Sequence, residues 1–146
     1  MFSKIVVGTD GSENAERALR EVLEMTEVHP AKDVQIVTAY RPLSFTEIRD
    51  LANDLPAEFR DVINPNMEAE SRLDAARAMF GSRDQAVGYR GIDDDATDAI
   101  LDVAEEIGAD LIVVGSRGER AARRAIHGSV STKVLHNATC SVLVVK

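Results

Sequence analysis

The sequence predicts an α/β fold, one parallel five-stranded sheet with helices on both faces. Three observations carry this. Short β-branched apolar runs alternate with stretches of helical spacing, in the order β-α-β-α-β-α-β-α-β, which implies right-handed crossovers. Ile5-Val6-Val7 and Leu111-Ile112-Val113-Val114 contain no polar residue, as strands buried on both faces do not. Both runs lead into glycine-containing turns, Gly8 to Ser12 and Gly115 to Gly118, and a helical pattern follows each.

The elements follow in chain order. Ile5 to Val7, with Phe2, makes the first strand. Ser12 is placed to cap a helix whose first turn holds Glu13 and Glu16, where negative charge meets the positive helix end. Ala15, Ala18, Leu19, Val22 and Leu23 form its inward face, and His29-Pro30 stops it. Val34 to Tyr40 is the second strand, broken by Arg41-Pro42. From Phe45 to Ile63, apolar residues at Phe45, Ile48, Ala52, Leu55, Phe59 and Val62 keep helical spacing around Pro56. This segment reads as a helix covering the core; a lid over a pocket or an interface fits the same pattern. Residues 66–80 give another helix, with Ala69, Leu73, Ala76, Met79 and Phe80 inward and Gly81 as its stop. Gln85 to Tyr89 reads as a short third strand. One of Asp93, Asp94 and Asp95 should cap the helix 96–107, so the three aspartates read as helix-start residues and not as metal ligands. That helix turns Ala96, Ala99, Ile100, Val103 and Ile107 inward and ends at Gly108. Leu111 to Val114 is the fourth strand. A helix opens near Gly128 or Ser129, and Val142 to Val145 is the fifth strand.

Length and composition fit one domain, 1–146, with a sizeable core and 45% hydrophobic residues. No apolar stretch approaches a membrane span, and MFSKIVV runs straight into a strand without a signal-peptide pattern, so a cytoplasmic protein without membrane partners is expected. Cys140 is the single cysteine, which excludes an internal disulfide and reads as a small core residue. A net charge of −8 argues against nucleic-acid binding. The charge is uneven: Arg117, Arg120, Arg123 and Arg124 face only Glu119, a local +3 that leaves −11 for the rest. Four lysines against thirteen arginines, with acidic residues in excess of both, resemble salt-adapted proteins.

The chemistry concentrates in 111–129, LIVVGSRGERAARRAIHGS, which reads strand, glycine loop, helix start. Glycine backbone can approach a ligand closely and take positive φ. Free N–H groups at a helix start favour an anion, and the hydroxyls of Ser129 and Ser131 add donors. Beside the positive island, these parts suit a polyphosphate. A glycine turn with an ordinary serine cap and a solvated arginine loop would have the same residues.

Gly115-Ser116-Arg117-Gly118, nine residues, then Gly128-Ser129 resembles the G-x2-G-x9-G-[S/T] signature of ATP-binding universal stress proteins. KIVVGTDGSENAERAL, ADLIVVGSRG and HGSVSTKVLHNATCSVLVV resemble the same family, clearly at both ends and weakly over 41–98. The resemblance implies strand order 3-2-1-4-5, an adenine nucleotide alpha hydrolase-like, Rossmann-like arrangement. The two glycine turns would then face each other where the winding reverses, the place where open α/β sheets bind ligands. It further implies that Gly115, Gly118, Gly128 and Ser129 surround a triphosphate, with the backbone N–H groups of Val130 and Ser131 nearby. Thr9 and Asp10 would lie at the nucleoside end, Asp10 on adenine or ribose, although Asp10 can equally stabilise its own turn. Val114 would offer backbone, and Arg117 would reach a phosphate. Tyr40 stands where the family has a small aliphatic residue against adenine, so it would stack on the base or obstruct it. Two further departures are Asp94-Asp95-Ala96 in place of Gly-x-Pro and Ser141 in place of a proline.

The expected ligand is thus ATP, or ADP or AMP, with Mg²⁺ or Mn²⁺ bound through the phosphates and no protein metal site. No G-x-x-x-x-G-K-[ST], G-x-G-x-x-G or G-x-S-x-G motif is present, and no catalytic base stands out, so a nucleotide-binding regulator is favoured over an efficient ATPase. The alternative is a dimeric interaction module of the same fold that binds no nucleotide. In the implied order the last strand is an apolar sheet edge, which predicts a homodimer paired through Val142 to Val145.

Overall fold

The computed structural model of the chain describes residues 1–58, 66–81, 87–116 and 130–146. Ten elements run in the order β1 (Lys4–Gly8), α1 (Glu13–Val28), β2 (Asp33–Tyr40), α2 (Phe45–Asp54), α3 (Met67–Phe80), β3 (Val87–Asp93), α4 (Ala96–Ile107), β4 (Leu111–Gly115), α5 (Val130–Asn137) and β5 (Ser141–Val145). The strands form one sheet in the order β3-β2-β1-β4-β5, every neighbouring pair parallel. Order and fold class therefore agree with the sequence reading.

Strand alternation splits the core into two layers. Ile5, Val7, Val34, Ile36, Leu111 and Val113 face α1 and α3, where they meet Leu19, Val22, Leu73 and Phe80. Val6, Val37, Ile112 and Val114 face the other way, onto Ile100 and Val103 of α4 and Val134 of α5. Each helix starts and stops where its local chemistry directs. Ser12 accepts the Ala15 N–H at 3.2 Å, and His29 closes α1 by donating its backbone N–H to the Met25 carbonyl at 2.9 Å. Asp95 caps α4 by accepting the Thr97 N–H at 2.9 Å, which holds its carboxyl below the ordinary carboxylate range. Gly81 and Gly108 take φ of 60° and 61° at the ends of α3 and α4, conformations that a Cβ disfavours.

Leu23 of α1 and Met79 of α3 are half-buried, and four further elements differ from expectation. Phe2 lies outside β1 and is 37% exposed. β3 runs on through Arg90, Gly91 and Ile92 to Asp93, because the whole of β2 from Val34 to Tyr40 offers it backbone partners. Its expected first residues, Gln85 and Ala86, lie outside the described residues. α2 forms with a full capping box between Ser44 and Glu47, yet it buries no residue, and Phe45 is 83% exposed. The described part of the 45–63 segment is therefore not a core-covering helix, and 59–63 lie outside the described residues. In α4, Thr97 and Ala104 are buried in place of Ala96 and Ile107, which are half-buried. Cys140 is half-buried beside the second core layer, where burial pushes its thiol pKa up. No described helix is long and apolar enough to cross a membrane.

Candidate functional site

The crevice lies where the winding reverses, between the carboxyl ends of β1 and β4. These strands pair in parallel, and one connects leftward to β2 while the other connects rightward to β5. It is a shallow, open crevice that holds about 70 Å³ of solvent-accessible space. One wall is apolar, made by Val37, Ala39, Ala96 and Ile100. The lining also includes the polar Thr9, Asp10 and Ser131, with Gly115.

The first turn is built from its own side chains. The Thr9 N–H donates to the Val37 carbonyl at 2.9 Å, so β1 stays in register as it leaves the sheet. The Ser12 N–H donates to Asp10 Oδ1 at 2.9 Å, a local aspartate turn. Gly11, at φ 80°, lets the chain reverse into α1. Asp10 is thus both a turn former and a crevice residue, and its two expected roles are compatible.

The second turn begins differently. A Cβ built on Gly115 would lie 2.7 Å from the Asn14 carbonyl carbon and 2.8 Å from the Ala15 nitrogen. Glycine there lets the first turn of α1 rest directly on the end of β4. Asn14 Nδ2 then donates to Ser116 Oγ at 3.1 Å. The Ser116 N–H donates to the Val145 carbonyl at 2.6 Å, and Ser131 Oγ donates to the Ser116 carbonyl at 3.3 Å.

Of the residues expected from sequence, Thr9, Asp10, Val114, Gly115, Val130 and Ser131 line one crevice. Arg117, Gly118, Gly128 and Ser129 lie outside the described residues, as do Arg120, Arg123, Arg124 and His127. Tyr40 does not line the crevice. Strand parity puts Val37 and Ala39 on the crevice face of β2 and Tyr40 on the opposite one, where its ring lies beside Gly91 of β3. Ala39 lines the crevice where the resemblance pointed to Tyr40, and counting in twos from buried Val37 would have found it. Ala96 and Ile100 were read as core residues, but the upper turn of α4 also walls the crevice. Among the described residues, no group of three or more His, Cys, Asp or Glu is arranged to hold a metal. His29 ends α1, and His136 Nδ1 lies 2.8 Å from the Thr132 carbonyl.

The sequence profile of the universal stress protein family matches residues 1–146. The chain belongs to that family. It is 30% identical to the universal stress protein YxiE of Bacillus subtilis over 161 aligned positions that cover 100% of both chains. A universal stress protein of Thermus aquaticus is 33% identical, again over 100% of each chain. Among solved structures, a universal stress protein in complex with cAMP superposes with a TM-score of 0.69 at 26% identity, covering 99% of this chain and 96% of that one.

Proposed function

We propose that this universal stress protein binds an adenine nucleotide, ATP or its products ADP and AMP, in the crevice between β1 and β4, and acts as a cytoplasmic nucleotide-responsive regulator. The observation that carries the reading is a crevice at the reversal of the sheet whose lining combines apolar Val37, Ala39, Ala96 and Ile100 with polar Thr9, Asp10 and Ser131. The relative solved with cAMP supports the choice of an adenine nucleotide.

The wall of Val37, Ala39, Ala96 and Ile100 offers a flat purine a dry, apolar contact surface, and the small side chain of Ala39 leaves it room. Asp10 places a carboxylate in the crevice lining, which suits it to accept hydrogen bonds from a ribose. Gly115, Val130 and Ser131 lie at the other end, where backbone N–H groups at the start of α5 favour phosphate oxygens. Gly118, Gly128, Ser129 and Arg117 complete the phosphate contacts in this reading. Mg²⁺ or Mn²⁺ would enter bound to the phosphates. Tyr40 has no part, since Ala39 faces the base. No catalytic base stands out in the sequence, so hydrolysis is slow at most in this reading.

The active form in this reading is a homodimer. β5 is the sheet edge, and Leu143 on it is 36% exposed. Antiparallel pairing of Val142 to Val145 with a two-fold mate would satisfy the open backbone groups.

Calorimetry with ATP, ADP and AMP at several salt concentrations tests the nucleotide reading. Micromolar to submillimolar binding that weakens with salt is expected. Absence of binding for all three at millimolar ligand would leave the dimeric, nucleotide-free interaction module as the function.

A further inference from the structure

We propose that Arg72 of α3 braces the Gly11 turn and so holds Asp10 toward the crevice, which makes it a positioning residue for the nucleoside end of the site. The inference rests on the nucleotide reading above, and it brings in a helix that does not line the crevice.

Asp10 is tied to its own turn by the Ser12 N–H at 2.9 Å, a bond that moves with the turn and does not fix it against the rest of the protein. The Gly11 N–H reaches Thr9 Oγ1 only at 3.4 Å, a long contact, and Gly11 itself is exposed at φ 80°. Glycine at such a turn has more than one accessible shape. Arg72 narrows the choice. A Cβ built on Gly11 would lie 3.3 Å from Arg72 Cγ, 3.4 Å from Nε and 3.7 Å from Cδ, so the arginine stem covers the side of the glycine where a side chain would stand. The stem is held at both ends. At its root, α3 is pinned against the sheet by buried Ala69, Leu73 and Ala76. At its tip, the guanidinium meets Glu68 Oε1 at 2.7 Å, one helical turn earlier. The Arg72 side chain is 17% exposed, against 43% for Arg77 on the same helix, so it lies along the protein and not out in solvent. The Thr9 bond to Val37 fixes where the turn leaves β1, and Arg72 fixes its far side. Without the stem, Gly11 can swing toward α3 and carry the Asp10 carboxylate with it.

Arg72→Ala removes the brace, and Arg72→Met keeps an unbranched stem without the charge. Calorimetry on wild type and both variants, with AMP and with 2′,3′-dideoxy-AMP, reads the effect. AMP affinity is expected to fall about fivefold in Arg72→Ala and to return to within twofold of wild type in Arg72→Met. The dideoxy ligand has no ribose hydroxyl for Asp10 to accept from, so its affinity is expected to stay within twofold throughout. Unchanged AMP affinity in Arg72→Ala, equal losses for the two ligands, or a loss in Arg72→Met as large as in Arg72→Ala would overturn the proposal. Amide hydrogen exchange of the ligand-free proteins separates this from a failure of the nucleotide reading. Faster exchange at Gly11 and Ser12 in Arg72→Ala, absent from Arg72→Met, upholds the brace even where wild type binds no nucleotide, and unchanged exchange refutes it.

Discussion

The two turns that face each other across the crevice are built by opposite means. Between Gly8 and Ser12 several bonds join near neighbours, Gly11 with Thr9, Ser12 with Asp10 and Ala15 with Ser12, while the Thr9 N–H reaches the Val37 carbonyl of β2. At Ser116 the partners are α1, α5 and β5, each supplied from elsewhere in the chain. The first turn takes much of its shape from local bonds. The second exists only once the sheet is complete around it. A site made from one largely local turn and one dependent turn has its tolerance to mutation unevenly shared.

Substitutions sharpen the contrast. Gly115→Val should have the largest effect, because its Cβ meets backbone atoms of Asn14 and Ala15 that have nowhere to go. A loss of about 3 kcal/mol or more is expected, at the upper end of overpacking penalties. Denaturant unfolding measures it, and a loss under about 1 kcal/mol would mean that α1 can slide away from β4. Next comes Leu143→Asp on the exposed edge, which should turn a dimer into a monomer in light scattering while leaving the melting of the subunit nearly unchanged. A variant that stays dimeric would move the interface away from β5, most directly to the exposed Phe45 face of α2.

Within the local turn the cost should be smaller. Ser12→Ala removes one cap bond and is expected to destabilise by about 1 kcal/mol. A much larger loss would show that the first turn depends on distant partners as the second does. The smallest effect belongs to α2, another locally capped element. The Arg41 guanidinium, then the Ser44 hydroxyl and N–H, lower the Glu47 pKa from 4.5 to about 2. A folded value below the unfolded one adds stability that is complete above about pH 4.5 and is lost as pH falls through about 2. Glu47 is fully exposed, so the difference between wild type and Glu47→Ala should be slight at neutral pH and vanish near pH 2 in acid unfolding followed by circular dichroism.

The same contrast explains what could be read before the structure. Buried strands such as Ile5 to Val7 and capped starts such as Ser12 announce themselves because their causes lie within a few residues. β3 was harder, since its second half, Arg90-Gly91-Ile92-Asp93, is an edge segment whose place comes from pairing with β2 and not from its own apolarity. The resemblance pointed to Tyr40, while Ala39 lines the crevice, since a one-residue offset on a strand exchanges the two faces of the sheet. Ser116 gave no sign, since each of its partners is brought in by tertiary structure. The helical spacing of α2 was legible, but the same amphipathic pattern serves a buried helix and one that buries none of its described residues.

The bond between Ser116 and Val145 also bears on timing. β5 is the last strand in chain order, and its closing residues hold the root of the loop that leaves β4. On the ribosome, β1, α1, β2 and the Asp10 turn emerge well before that anchor does, and a domain generally folds as a unit. Competence to bind should arrive late and all at once, when the edge strand docks.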